Sequence, residues 1–374
     1  VRTYASVSAA LAATLSLTPV TGCAAGSALG ARGTRPIPAA TASAQGPATS
    51  FTVVATGDML PHRPVIAQAL RDGRGVPDFR AIMAGIKPII SSADLAICHL
   101  ETPLGGGFPV PGAPPQLADA LSDLGYRSCS TASEHTLDQG PDGVRRTLDA
   151  LDRVHIRHSG SARTAREAAT PNLLDVRGVR VAHLSYTFGF DRFPPPPGSP
   201  WLAGQIDASR ILAAAHLARK AGAQVVIVSL HWGADHQRGP TPGQVALARE
   251  LLASPDIDLI VGHHVHVVQP FARATGGKWV AYGVGDLVAA DGRDRGEGLI
   301  ARFTFTLADG RWSVSRAEFI PTYVDAGPPL RVIDVPAALR ARGIAPARRA
   351  FLRGIVDRTS GVVYSRRALP TLAG

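Results

Sequence analysis

Residues 257–270 read Ile-Asp-Leu-Ile-Val-Gly-His-His-Val-His-Val-Val-Gln-Pro. The stretch opens as a short apolar run ending at Val261, the pattern of a buried strand. Three histidines follow within four positions. A strand that runs directly into ligand-capable side chains points to an open α/β sheet, where ligands gather at the carboxyl ends of the strands. His264 and His266 stand two apart, so they are expected on the same side of an extended segment.

The arrangement recurs along the chain. Phe51–Thr56 leads to Gly57-Asp58, Asp94–His99 to His99-Leu100-Glu101, and Gln224–Leu230 to His231-Trp232-Gly233. Arg127–Ala132 leads to Ser133-Glu134-His135, with Asp138 and Gly140 beyond. Val179–Tyr186 and Trp279–Tyr282 are further strand candidates. Helical stretches at Pro64–Leu70, Phe79–Ile90, Gln116–Leu124, Gly143–Arg153, Ala208–Ala221 and Thr241–Leu252 lie between them. This alternation predicts an α/β domain. Gly298–Leu307 and Arg311–Tyr323 flank Asp309-Gly310 and read as an antiparallel hairpin. The proline-rich segment Phe193–Pro200 reads as a stiff loop able to roof a site.

Imidazole and carboxylate together suit Zn, Mn or Fe. A single histidine after a strand is commonly a hydrogen-bonded structural residue, but three within four positions point to metal. Asp58, Glu101, Glu134, His231, His264 and His266 are therefore the candidate ligands. Tyr186, packed or touching substrate, follows a strand. Cys98 and Cys129 end neighbouring predicted strands and are read as buried thiols, a disulfide or metal ligands.

The 374 residues suffice for one large domain or two small ones, and 45% are hydrophobic, which excludes global disorder. No run approaches the roughly 20 apolar residues of a membrane span. Three cysteines exclude a disulfide-stapled scaffold. The net charge of +10 is concentrated toward the end, where Arg331 to Gly374 holds nine Arg against two Asp. That excess suggests either an anionic partner or a solvated tail. Without a nucleic-acid motif and with 6% aromatics, nucleic acid is not expected as a partner.

Residues 1–22 have the anatomy of a signal peptide: Arg2, then a small-apolar stretch from Ala5 to Leu17. Val20-Thr21-Gly22-Cys23 resembles a bacterial lipobox, which makes Cys23 the lipidation site and anchors the chain to the extracytoplasmic face of the membrane; an ordinary secretory signal is the alternative. Residues 23–50 are expected to be a flexible tether, 51–330 the main domain, and 331–374 a basic, partly helical tail.

In order, Gly-Asp, Leu-Glu, x-x-His-x-x-Asp-x-Gly, His-Trp-Gly and Gly-His-His-x-His resemble the CapA (poly-γ-glutamate capsule synthesis) family of the calcineurin-like metallophosphoesterase superfamily. The resemblance runs from about Thr52 to Asp291 and rests most on residues 262–270 and 136–140. It implies a four-layer α/β/β/α sandwich with a two-metal site at its rim. Asp58, His231, His264 and His266 would ligate metal, with Glu101 ligating or bridging. His135 would serve as the acid near the leaving group, and Tyr186, which resembles a family Tyr-Thr pair, would meet substrate; His99 and His263, beside the ligands, are further candidates for substrate contact. Two positions depart from the family pattern: His99 stands where Asn precedes Leu-Glu, and Glu134 where a second Asn ligates metal. The implied activity is metal-dependent hydrolysis of a phosphoester in capsule or envelope polymer synthesis. A non-catalytic lipoprotein holding an anionic polymer, such as polyglutamate or a wall polymer, is the alternative. A solute-binding lipoprotein fits the histidine-rich rim less well.

Overall fold

The computed structural model describes residues 49–106, 112–290, 296–366 and 371–372. The expected signal segment, Cys23 and nearly all of the expected tether lie outside the described residues. Fifteen strands are described: β1 Ser50–Met59, β2 Leu95–Leu100, β3 Ser128–Ser130, β4 Arg157–Ser159, β5 Leu173–Val176, β6 Val179–Thr187, β7 Val225–Trp232, β8 Leu259–His264, β9 Phe271–Ala274, β10 Lys278–Ala281, β11 Asp286–Val288, β12 Glu297–Ala308, β13 Arg311–Asp325, β14 Arg331–Asp334 and β15 Thr371–Leu372. The helices are α1 Arg63–Asp72, α2 Arg80–Met83, α3 Lys87–Ser91, α4 Gln116–Leu124, α5 Gly140–Arg153, α6 Ala165–Ala169, α7 Ala208–Lys220, α8 Pro242–Ala253, α9 Val335–Arg340 and α10 Pro346–Val363.

Two mixed sheets result. The first runs β14-β13-β12-β1-β2-β3-β4, with β11 beside β1 and β15 beside β13; the second runs β5-β6-β7-β8-β10-β9. The hairpin expected around Asp309-Gly310 is β12–β13. Three apolar layers make the stack a four-layer α/β/β/α sandwich. Val54, Ala96 and Leu100 pack with Ile82, Met83 and Leu121 on the outer side of the first sheet. Val53, Ile97, Val181, Ile227 and Leu259 meet between the sheets. Val226, Val228 and Ile260 pack with Ile211, Ala215 and Leu251 on the far side.

Strand alternation decides what lies between the sheets, because successive side chains point to opposite faces. Leu95 and Ile97 of β2 face the inner core while Ala96, Cys98 and Leu100 face the helices. On β7, Val225 and Ile227 face inward and Val226, Val228, Leu230 and Trp232 outward. Continuing the alternation carries His99 and His231 into the gap between the sheets at one rim.

The described part of the expected tail packs on the body. Leu330 is buried, and β14 extends the first sheet by pairing antiparallel with β13. Leu352, Ile355 and Val363 of α10 are buried, and Phe351 is half-exposed. Three arginines of the segment meet carboxylates of the body: Arg331 with Asp72 at 2.9 Å, Arg348 with Asp325 at 2.5 Å and Arg358 with Glu297 at 2.6 Å. The charges of this segment thus pair with the domain rather than face solvent alone.

His183 of β6 is wholly buried, with Nδ1 2.8 Å from Ser128 Oγ and Nε2 2.9 Å from Ser229 Oγ. Burial, reinforced by the nearby His263, pushes its pKa down to about 3. The unfolded chain therefore takes up a proton below about pH 6.5 that the folded protein refuses, so stability falls as pH drops from 6.5 toward 3, by about 1.4 kcal/mol per unit. Thermal melts of His183→Asn are expected to show a shallower loss of Tm across that window than the parent protein.

Candidate metal centre

Two close backbone approaches build the rim. β1 and β11 run parallel with Asp58 opposite Asp286, and Asp58 N donates to Gly285 O at 2.9 Å. A Cβ on Gly57 would stand 2.1 Å from that carbonyl, so only glycine lets the two Gly-Asp pairs lie side by side. In the second sheet, Trp232 Nε1 donates to Tyr282 O at 2.9 Å across Gly262, where a Cβ would lie 2.5 Å from the indole nitrogen. Gly262 thus lets His-Trp-Gly and Gly-His-His lie against each other.

Two carboxylates act as hubs. Asp58 accepts from His263 Nδ1 at 3.0 Å through Oδ1 and from the His264 backbone N–H at 2.8 Å through Oδ2. His266 approaches Oδ2 to 4.0 Å, donates from Nδ1 to Asp286 Oδ1 at 2.9 Å and turns Nε2 to within 3.8 Å of Glu101 Oε1. Glu134 Oε2 is the second hub, 2.5 Å from His231 Nε2 and 2.7 Å from His264 Nδ1. Between them His135 Nε2 lies 3.9 Å from Glu101 Oε1 and 4.0 Å from Glu134 Oε1, while its Nδ1 is held by Asp138 Oδ2 at 2.9 Å. Four overlapping trios have ligand atoms within 4.8 Å of one another: Asp58–His99–His263, Asp58–His266–Asp286, Glu134–His231–His264 and Glu101–Glu134–His135.

Burial would raise the Asp58 carboxyl, but the His263 hydrogen bond and the charges of His99, His263 and His266 hold it well below the usual range. Glu134 is likewise held low against its burial, chiefly by the His231 hydrogen bond. Glu101 goes the other way: burial, then the Asp58 charge, push it well above the ordinary value. Burial lowers His231 to about 4 despite Glu134. Burial opposes the charged form of His266 too, but the bond to Asp286 and the charges of Glu101, Asp286 and Asp58 lift it to about 11. His135 is also raised, since Asp138, Glu134 and Asp191 outweigh its burial.

Two observations test the fit of a divalent cation. Both oxygens of the Glu101 carboxylate are buried with no hydrogen-bond partner. His264 Nε2 lies 3.0 Å from Asp235 Oδ1, which places its proton there in the neutral ring. His264 Nδ1 then offers a lone pair toward Glu134 Oε2, near it but outside hydrogen-bond geometry. Lone pairs directed at one another, and a carboxylate without donors, are satisfied by a cation of oxygen- and nitrogen-ligand chemistry. The residues fit the group.

The description "Bacterial capsule synthesis protein PGA_cap" covers residues 52–291 of the chain as a family match. The chain belongs to this family. Similar proteins include the capsule biosynthesis protein CapA of Bacillus anthracis, 27% identical over 252 residues that make up 66% of this chain and 58% of that one. A probable polyglutamine synthesis accessory protein of Mycobacterium tuberculosis is 32% identical over 189 residues, 46% of this chain and 48% of that one. The chain thus spans about half the length of the curated relatives it matches. Among solved structures, a 5′-nucleotidase precursor of Thermus thermophilus aligns over 83% of this chain and 58% of its own, with 15% identity and a TM-score of 0.44. A calcineurin-like phosphoesterase of Bacillus subtilis aligns over 86% and 99%, with 12% identity and a TM-score of 0.43.

Within the family member described here, all seven residues assigned to metal or proton chemistry meet at one rim: Asp58, Glu101, Glu134, His135, His231, His264 and His266. The route differs from expectation for two of them. β8 ends at His264, and both His264 (φ 88°) and His266 (φ 56°) adopt left-handed backbone, so a turn rather than an extended face brings them in. Of the residues expected to meet substrate, two are buried beneath the rim and one turns away from it. His99 is fully buried, with Nδ1 2.5 Å from Ser130 Oγ and Nε2 2.9 Å from His231 Nδ1, and it stacks on His263 at 4.1 Å. It braces other histidines beneath the surface. His263 is buried too, holding Asp58. Tyr186 faces the outer helices, because alternation along β6 turns it away from the inner gap. Cys98 and Cys129 form a disulfide between paired positions of β2 and β3, one residue before His99 and Ser130. Asp286 and Asp235 were not singled out from sequence. Asp286 carried a usable signal, a second Gly-Asp after a strand; Asp235, on a loop four residues past His231, carried none.

Substituting Glu101 by Gln removes a buried, unpartnered carboxyl whose ionised form burial and Asp58 disfavour, while keeping shape. After chelation, Glu101→Gln is expected to melt higher than the parent protein, and the rise in Tm on adding Mn or Zn is expected to shrink. Differential scanning calorimetry with and without metal measures both.

Proposed function

We propose that this chain is an exported, metal-dependent phosphoesterase-type hydrolase acting in capsule or cell-envelope polymer biosynthesis. The observation that carries the reading is the Glu101 carboxylate, buried without donors among Asp58, Glu134, His135 and His266. A pair of divalent cations, Mn, Zn or Fe, held by Asp58, Glu101, Glu134, His231, His264 and His266 would polarise phosphoryl oxygens and lower the pKa of a bound water. The protein's own groups supply the rest. Asp138 fixes the His135 ring through Nδ1 and favours its charged form, leaving Nε2–H to protonate a departing oxygen. Phe188, half-exposed, packs on His264 at 4.5 Å and gives the rim an apolar wall that excludes water. The proline-rich loop begins beside the site, where Asp191 N donates to Glu134 O at 3.1 Å.

The polymer context follows the relatives, which are named for capsule and polyglutamine synthesis; the substrate or ligand would be an anionic envelope polymer or a phosphoester made with it. Extracytoplasmic placement is supported by the lipobox-like Val20–Cys23 and by the Cys98–Cys129 disulfide, since such bonds persist in oxidising compartments. Attachment would rest on a lipid at Cys23; among the described residues no helix is long and apolar enough to cross a membrane.

Hydrolysis of bis-p-nitrophenyl phosphate with added Mn or Zn tests the activity. Metal analysis of His264→Ala is expected to show lost cation, whereas His135→Asn is expected to keep its metal and lose 10²- to 10⁴-fold in kcat. A metal-loaded parent protein that cleaves neither phosphodiesters nor monoesters overturns the reading. In cell fractionation, Cys23→Ser is expected to move the protein from the membrane pellet to the soluble fraction; unchanged partition rejects the anchor.

A further inference from the structure

A cavity lies apart from the metal centre, and none of the metal-centre residues lines it. It has a volume of about 790 Å³ and sits at the sandwich edge, between the β4–α6 segment and the end of β6 with α7. Ligand sites commonly fall between roughly 300 and 1,000 Å³. α6 arches along it and buries none of its own residues, so the strap does not serve the core. It is nevertheless tied down. Arg163 reaches Asp149 at 2.6 Å, Asp152 at 2.7 Å and Glu167 at 2.5 Å.

The chemistry of the wall is uneven. Its two carboxylates, Asp152 and Glu167, are engaged by Arg163, and its guanidinium groups outnumber them by one. Arg157 uses only Nε, on Asn172 at 3.2 Å, and the Arg166 side chain has no partner among the described residues. Ser185, 3% exposed, lines the cavity with an Oγ that is buried and unpartnered. Tyr186 and Trp201 add aromatic surface. The free hydrogen-bonding capacity is therefore cationic and hydroxylic, beside flat apolar rings. Such a wall suits a chain that alternates carboxylates with planar amides, since guanidinium forks match carboxylates and rings cover amide faces.

We propose that this cleft binds a segment of an acidic, carboxylate-bearing polyamide, holding the polymer at a site separate from the metal centre. The choice of polymer rests on the capsule-polymer reading above; the cleft itself does not depend on hydrolysis.

Titration of the full chain with a γ-linked glutamate hexamer, followed by tryptophan emission, tests the proposal. Saturable binding that perturbs Trp201, with the signal lost in Trp201→Phe, is expected. The Arg157→Ala/Arg166→Ala double variant is expected to bind at least tenfold more weakly while its metal content stays unchanged. Both arginines are exposed, so the fold tolerates the change, and the melting temperature checks this. Absence of saturable binding, or undiminished affinity in the double variant, overturns the proposal. A glycerol phosphate hexamer that binds equally well overturns the choice of a carboxylate chain. Hexamer binding that depends on both arginines in a protein without phosphoesterase activity supports the cleft and removes only the hydrolase. Intact phosphoesterase activity without hexamer binding does the reverse.

Discussion

Carboxylates buried side by side are the constraint on which the rim of this molecule depends. Ionised groups removed from water need opposite charge and hydrogen bonds, and Asp58, Glu101, Glu134 and Asp286 all have buried positions at one edge. The two sheets divide the answer. The acids come from the first sheet, on β1 and β11 and just beyond β2 and β3. Most of the imidazoles come from the second, on β7 and β8 and the turn after it. The site is therefore also a seam: what draws charge into one place draws the two layers together at their polar rim, while Val53, Ile97, Val181 and Ile227 hold them together below.

Much of this was legible because strand ends advertise themselves. Short apolar runs that stop at Asp58, Glu101, Glu134, His231 and His264 were readable as a shared rim. What escaped had local causes. Tyr186 follows the alternation along β6, which places it on the helix side. Identity and spacing alone suggested that His264 and His266 share an extended face, but the turn that unites them depends on two left-handed residues, a conformation that histidine only sometimes adopts. Asp235 acts through a loop contact with no periodicity. At the end of the chain β14 escaped because its four residues are too short a run to stand out as a strand.

His99 shows how a residue can matter without meeting a ligand. It bridges Ser130 and His231 and stacks on His263, so both metal-centre hubs share one buried ring as a spacer. The Cys98–Cys129 bond fixes the strands immediately before His99 and Ser130, on the opposite face of the sheet. Position, more than chemistry, is what this pair contributes: one covalent link sets the spacing of two strands whose next residues carry the imidazole scaffold.

The pairing of the two Gly-Asp corners has a kinetic meaning. Asp58 and the His264 amide it binds are 206 positions apart, and β11 reaches β1 only after the second sheet has been laid down between them in the chain. Contacts so distant carry a large loop-closure cost and tend to form after local ones. Convergence of the carboxylates and imidazoles thus carries a closure cost of the same kind as the β1–β12 pairing, whose partners stand still further apart in the chain, and a cation seated there ties together segments that the chain brings from far apart.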